Sequence, residues 1–344
     1  MADIRMPETV PGEWQAAAKA FLPTETRVLA VQRMSGGFSG ALVLKIDTDF
    51  AVFILRGMSL HETDAEALQR LHRWLAQLHE SGLPVAVPIP CRQSGCTTWE
   101  HRGRIWQMEP CLSGASLDGD QLSTVQIQNL MQTVAKLHLA SASLHQQDPI
   151  FTSTGVGVSP SVRSRLNLIH TWTPERIGKA FQSLSDAPLE LREQLDACLA
   201  AFLRFHEQIR RELESYCHVS VPLHPCFRDL WQSNILFKGD QVTGLIDPHS
   251  TRVDHVSSDL SRLLSGYFYD DERKRTAALA LYEELRPLSD TERNLIQAME
   301  HSGVVLSGMT WVSRWMNSQI SHESREAASM RLQSLTRKLL RFPK

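Results

Sequence analysis

Charge of one sign is missing from this sequence. Its 36 Lys and Arg stand against 38 Asp and Glu, a formal net charge of −2. No basic field therefore points to nucleic acid, and no acidic tail points to a chaperone-like partner. Long apolar runs are missing as well. Gly303 to Val312 comes nearest and is far shorter than the about 20 residues a membrane span needs. The opening stretch, MADIRMPETVPGEW, has no apolar core for a signal peptide. Cysteine is sparse: the six are scattered with no CxxC pair, the pattern of reduced thiols rather than of a disulfide framework. Cys91, Cys96 and His101 are the nearest approach to a zinc set, but their spacing is poor and the cysteines flank an ordinary Gln93-Ser94-Gly95 turn. Internal repeats and low-complexity linkers are absent too. These exclusions, with 42% hydrophobic and 22% charged residues, leave a soluble, cytoplasmic, globular enzyme. At 344 residues it is long enough for two lobes, each with its own core.

Hydrophobic periodicity divides the chain in two. Trp14 to Leu22 reads as a short amphipathic helix. Val28 to Met34, Ala41 to Ile46 and Phe50 to Arg56 read as antiparallel strands. The first two are joined by a turn carrying Gly36, Gly37, Phe38 and Ser39. Such a turn lets backbone N–H groups approach an anion closely. It is not a Walker A loop, because no Gly-Lys-Ser/Thr follows. A helix over residues 63–81, with Leu68, Leu71, Leu75 and Leu78 on one face, ends at Gly82 and Pro84. Leu83 to Pro90, residues 97–99 and Arg104 to Met108 read as further strands, giving a sheet of about five. After Gly114 the sequence turns almost wholly helical: 122–142, 160–184, 189–216, 260–266, 271–285, 290–314 and 322–340. The expected division is a sheet lobe over 1–109, a connector over 110–114, and a helical lobe over 115–344 with a catalytic segment at 224–260.

That segment interrupts the helices. Asp229 precedes Asn234 by five positions, and Asp247 follows in Leu245-Ile246-Asp247-Pro248. Ile235 to Phe237 and Val242 to Ile246 flank a Lys238-Gly239-Asp240 turn, so the stretch reads as a hairpin with a carboxylate at each outer end. Two carboxylates and a carboxamide in a small volume suit phosphoryl transfer. One acid takes the acceptor's proton, while the other and the amide oxygen hold magnesium on a triphosphate.

These residues carry a resemblance. Asp229-Leu230-Trp231-Gln232-Ser233-Asn234 with Leu245-Ile246-Asp247 resembles the catalytic and metal-binding segments of the aminoglycoside phosphotransferase and choline kinase-like family, bilobal relatives of the protein kinases. Gly36-Gly37-Phe38-Ser39, Glu109 to Gly114, Leu137-His138 and Asp259-Leu260 fall in the family's order. The resemblance implies an α+β, protein kinase-like fold and an ATP-dependent phosphotransferase. Its acceptor is a hydroxyl of an amino sugar, amino alcohol or sugar. Asp229 is then the base, and Asn234 and Asp247 the ligands of Mg2+. Arg56 becomes the cation on the phosphates, with Lys45 as its rival. Glu66, or Glu62 a turn earlier, would hold that cation. Pro110 and Leu112 would meet the purine through main chain, and GTP stays open beside ATP. His138 reads as a satisfied interior histidine and Asp259 as a brace on the catalytic segment. Asp270 and Asp271 suit either a cationic acceptor or a solvated helix start. Phe227-Arg228 stands where the family often has His-Gly, Pro248-His249 follows Asp247 in place of an aromatic and an acid, and Arg56 replaces lysine. A catalytically silent nucleotide-binding protein is the alternative, and retention of all three polar residues argues against it.

Overall fold

The computed structural model describes residues 12–34, 40–147, 155–320 and 325–342. In chain order the elements are α1 (Glu13–Phe21), β1 (Val28–Arg33), β2 (Leu42–Thr48), β3 (Val52–Ser59), α2 (Ala65–Glu80), β4 (Trp99–His101), β5 (Arg104–Pro110) and α3 (Thr124–Gln147). There follow β6 (Val156–Gly157), α4 (Pro160–Thr171), α5 (Pro174–Leu184), α6 (Leu189–Glu214), β7 (Val221–Pro222), β8 (His224–Cys226), β9 (Ile235–Lys238) and β10 (Gln241–Leu245). The last are β11 (Arg252–Asp254), α7 (Ser257–Tyr267), α8 (Glu272–Glu283), α9 (Asp290–Met316) and α10 (Arg325–Leu340). The chain divides into two compact units. Of the described residues, one holds 12–34, 40–117, 147 and 233–251, and the other holds 118–146, 155–232, 252–320 and 325–342.

The first unit is built on an antiparallel sheet of order β1-β2-β3-β5-β4. Alternation sets its inner face. Leu42, Leu44 and Ile46 on β2 and Phe53 and Leu55 on β3 are buried, and Trp14, Phe21 and Trp106 complete the core. β3 and β5 approach closely enough that a Cβ on Gly57 would meet the Trp106 ring at 2.8 Å, so only glycine fits there. α2 begins because Asp64 caps it, accepting from the N–H groups of Glu66 at 2.9 Å and Ala67 at 3.1 Å. It buries Leu68, Leu71, Trp74, Leu75 and Leu78, each contributing about 1.5–3 kcal/mol. Residues 83–90, expected as a strand, form none: only Val85 bridges, to Leu245. Pro84, Pro88 and Pro90 remove three of the N–H groups a ladder would use.

The hairpin β9–β10 groups with this first unit rather than with the helices that flank it in sequence. The physical reason is main-chain pairing. Ala115 and Phe237 exchange N–H···O bonds of 3.0 and 2.8 Å, and the Leu245 N–H donates to Pro84 O at 2.8 Å. The connector reaches the hairpin through Gly114, whose φ of +128°, with Phe237 O only 2.8 Å from where a Cβ would stand, excludes a side chain.

The second unit is helical. α6 buries Leu195, Cys198, Leu199 and Phe202, and α9 buries Val305, Met309 and Val312. A Cβ on Gly308 would stand 2.9 Å from that of Cys198, so a bare backbone position lets the two long helices close together. Of the two or three helices expected over 160–184 and 189–216 the structure has three, because Pro174 opens α5 at its first turn and Thr173 caps it by accepting from the Arg176 N–H. α10 begins at Arg325, and residues 321–324 lie outside the described residues. Among the described residues no helix is long and apolar enough to cross a membrane.

Candidate active site

The hairpin fixes two of the three polar residues singled out above. Leu245 pairs with Ile235, and beyond that pair the Ile246 N–H donates to Asn234 O at 2.9 Å. Asn234 and Asp247 therefore leave the hairpin at the same end. Asp247 sits in the left-handed region, φ 58° and ψ 57°. That conformation costs a non-glycine residue about 1–2 kcal/mol, and strain of this kind concentrates at functional positions.

A polar chain runs from Asp247 into the sheet, all within the first unit. Arg56 on β3 places Nη1 3.4 Å from Asp247 Oδ1, and His249 Nδ1 lies 3.2 Å from the same oxygen. His249 Nε2 is 3.3 Å from Gln107 Oε1, which also receives His72 Nε2 at 3.1 Å. Gln107 Nε2 donates to Glu109 Oε2 at 3.2 Å. The His249 hydrogen bond first, then the Arg56 charge, hold the Asp247 carboxyl below its usual value against the pull of burial. Burial pushes Glu109 up in spite of Arg56 and His249, and lowers His72 to about 4.

The fit to a nucleotide and a divalent cation is tested by these groups themselves. Asp247 offers a carboxylate held ionised and Asn234 a carboxamide oxygen, donors that suit a hard cation such as magnesium. Arg56 is only 14% exposed, and its Nε is buried with no acceptor among the described residues. An always-charged guanidinium with an unused buried donor is suited to a phosphate oxygen. The residues fit.

Asp229 belongs to the second unit. Its side chain lies 3.3 Å from Arg262 Nη2 and is one-third exposed, and its carbonyl accepts from the Trp231 N–H. The backbone just before it is braced. Asp259 accepts from the N–H of Phe227 at 3.0 Å, from that of Arg228 and from His138 Nε2 at 3.1 Å, while His138 Nδ1 accepts from Tyr282 Oη at 2.8 Å. Burial pushes Asp259 up to about 7 against the pull of those N–H donors and lowers His138 well below its usual value. Arg228 has φ 62°. It stands where the family often has glycine, and its Nε reaches to within 3.6 Å of Asp254. His138, Cys226 and Asp259 also offer three close metal-binding atoms. Burial keeps that thiol protonated and the other two groups are spent on hydrogen bonds, so the trio is a brace and not a metal centre.

Two expectations change. Glu66 does not hold Arg56. It is 88% exposed and pairs with Arg70, because the leucines of α2 turn the opposite face inward. The buried carboxylate that faces Arg56 is Glu109. Asp271 caps α8 by accepting from the Lys274 N–H, as the helix-start reading has it, and Asp270 is taken up by Arg341. Gly36, Gly37, Phe38 and Ser39 lie outside the described residues. Pro110 ends β5 opposite Phe53, and the Leu112 side chain lies along the hairpin at Gly244. Gln107, Glu109 and His72 escape a sequence reading, since strand register and the inward face of α2, not proximity along the chain, bring them to Arg56 and His249. His249 left one signal, its departure from the family pattern.

Comparison with known proteins follows the same lines. A homoserine kinase of Methylocella silvestris is 25% identical over 301 residues, covering 85% of this chain and 82% of that protein. A homoserine kinase of Rhizobium johnstonii is 28% identical over 118 residues, 32% of this chain and 37% of that protein. A spectinomycin phosphotransferase solved with ADP and spectinomycin superposes with a TM-score of 0.67 at 12% identity, covering 97% of this chain and 98% of that one. A microcompartment-associated aminopropanol kinase gives 0.64 at 17% identity, covering 95% and 94%. An amicoumacin kinase solved with AMP-PNP and Ca2+ gives 0.62 at 13% identity, covering 95% and 92%. At these identities the structures show the fold, which is protein kinase-like. The model of the phosphotransferase enzyme family matches residues 30–293, from β1 into the first turn of α9, and the chain accordingly belongs to that family, as a small-molecule kinase.

Proposed function

We propose that the chain moves the γ-phosphoryl group of ATP to a hydroxyl of a small molecule, with Asp229 as base and Asn234 and Asp247 as protein ligands of magnesium. The observation that carries this is the Ile246 N–H···O Asn234 bond. It closes the hairpin end so that a carboxamide and an ionised carboxylate leave it together, with Arg56 against the carboxylate. Asn234 and Asp247 would hold the cation, which when bound would supply positive charge against that developing on the phosphates. Arg56 would exchange part of its contact with Asp247 for the phosphates, and Glu109 behind it would keep the guanidinium in place. Gly36 to Ser39 would line the phosphates with backbone N–H groups. The Pro110 carbonyl and the Leu112 N–H suit a purine edge. Asp229 would orient the acceptor hydroxyl and take its proton, with positioning the larger part in a loose transition state.

In this reading residues 1–109 bind nucleotide, 110–114 form the hinge, and the helical part binds the acceptor. Acceptors in scope are amino sugars, amino alcohols, sugars and, from the homoserine kinase relatives, hydroxylated amino acids. The test is phosphate incorporation from γ-labelled ATP across such a panel. Asp229→Ala should lower transfer on the order of 10³-fold while Mg-ATP still raises the melting temperature. A mutant that transfers normally would remove Asp229 from the role of base.

A further inference from the structure

We propose that the acceptor carries an anionic group, a carboxylate or a phosphate, that is held in a cavity of the helical unit by Arg165, Arg262 and Lys338. This rests on the kinase reading above. The cavity, of about 50 Å³, is lined by those three cations together with Trp231 and the hydroxyl-bearing Ser261, Ser265 and Ser307, and among the described residues no carboxylate lines it. The cations stand against their mutual repulsion. Burial first, and then the charge of Arg262, lower Arg165 to about 9; burial, partly offset by the charge of Asp270 and reinforced by that of Arg262, lowers Lys338 to about 8.

What holds them is only partly electrostatic. Arg165 donates to Met299 O and, at 2.7 Å, to Ser302 Oγ. Lys338 donates to Ser265 O, and its Nζ lies 4.9 Å from the centre of the Trp231 ring, over which Arg262 also lies at 5.8 Å. The carboxylates in the neighbourhood are outside the lining and engaged. Asp254 accepts from Ser159 and Ser161, Glu300 pairs with Arg275, Asp270 pairs with Arg341, and Asp229 pairs with the lining Arg262 itself. A small anion would complete this set of donors, and a polycationic amino sugar would be repelled by it.

Arg262 ties the cavity to the chemistry. The same guanidinium that lines it lies 3.3 Å from Asp229. An anionic end seated among the cations would set the remainder of a short acceptor beside the proposed base. The homoserine kinase relatives act on a hydroxylated amino acid and the aminopropanol kinase on an amino alcohol. Those two classes differ in the group this cavity would read.

The experiment compares transfer from ATP to L-homoserine, to glycerol 3-phosphate and to 3-amino-1-propanol, with the melting temperature recorded in each compound. At least one anionic acceptor should exceed 3-amino-1-propanol by about 100-fold in kcat/KM, as expected for charge-assisted hydrogen bonds gained. Preference for L-homoserine assigns a carboxylate and preference for glycerol 3-phosphate a phosphate. Lys338→Met should raise KM for the preferred acceptor about tenfold with kcat little changed, and Lys338→Arg should restore most of it. Equal or better use of 3-amino-1-propanol by the wild-type protein overturns the proposal, whatever the variants do. Stabilisation by the anionic compounds without transfer to any acceptor supports the anion site and removes the kinase reading. Neither stabilisation nor transfer overturns both.

Discussion

Two His–Asp pairs of nearly equal length do opposite work in this molecule. His249 and Asp247 lie 3.2 Å apart in the first unit, 23% and 45% exposed; His138 and Asp259 lie 3.1 Å apart in the second, both wholly buried. Beside solvent and Arg56, Asp247 is held ionised, as its proposed role as a metal ligand requires. Inside the helical unit, Asp259 and His138 are both pushed toward their neutral forms and are consumed by two backbone N–H groups and a tyrosine hydroxyl. Residue type and distance do not distinguish a binding group from a brace. Burial and the number of committed donors do.

The contrast can be attacked at either end. Asp259→Ala should cost about 3–5 kcal/mol in urea unfolding, because it leaves the N–H groups of Phe227 and Arg228 and the His138 ring without their buried acceptor. A loss under about 1 kcal/mol would show that the brace is dispensable. Next in size is a pH effect from His72, at the inner end of the chain leading from Asp247. Its pKa falls from 6.5 to about 4 on folding, so between those values the unfolded state binds the extra proton. The contribution is complete above pH 6.5 and is lost as pH falls toward 4, by at most about 3 kcal/mol. His72→Gln should flatten the decline in stability over that window, and an unchanged slope would contradict the assignment. Asp247→Ala, by contrast, removes a half-exposed pair and should change stability in buffer by less than about 1 kcal/mol. Glu66→Ala should be the smallest effect, within about 0.5 kcal/mol in stability, with no change in nucleotide-induced stabilisation; a clear loss of that stabilisation would return Glu66 to the partnership with Arg56.

Legibility in the sequence followed locality. The hairpin was readable because its two apolar runs, its Lys238-Gly239-Asp240 turn and its polar ends lie within a few residues of one another. The leucine face of α2 and the capping of α8 by Asp271 are equally local. The surroundings of Arg56 were not. Glu109 and Gln107 lie on β5, brought opposite Ile54 and Arg56 by strand register, a long-range pairing that no local pattern along the chain carries. Glu66 was favoured because it begins the helix after β3, but the helical phase that buries Leu68 and Leu71 turns it to solvent. Arg228 illustrates the same limit. The sequence shows a bulky residue where relatives often have glycine, and only the structure shows it at φ 62° with its N–H on Asp259 and its guanidinium by Asp254.

The most direct test is the shift in melting temperature on adding ATP with and without Mg2+, for the wild-type protein and Asp247→Ala. At a nucleotide concentration about 100 times Kd, binding should stabilise the wild type by about 2.7 kcal/mol, several degrees in Tm, only when Mg2+ is present. Asp247→Ala should melt close to the wild type without ligand and lose most of that shift. An Asp247→Ala protein stabilised by Mg-ATP as fully as the wild type would contradict the account of Asp247 as a metal-binding residue and the division between the two His–Asp pairs that rests on it.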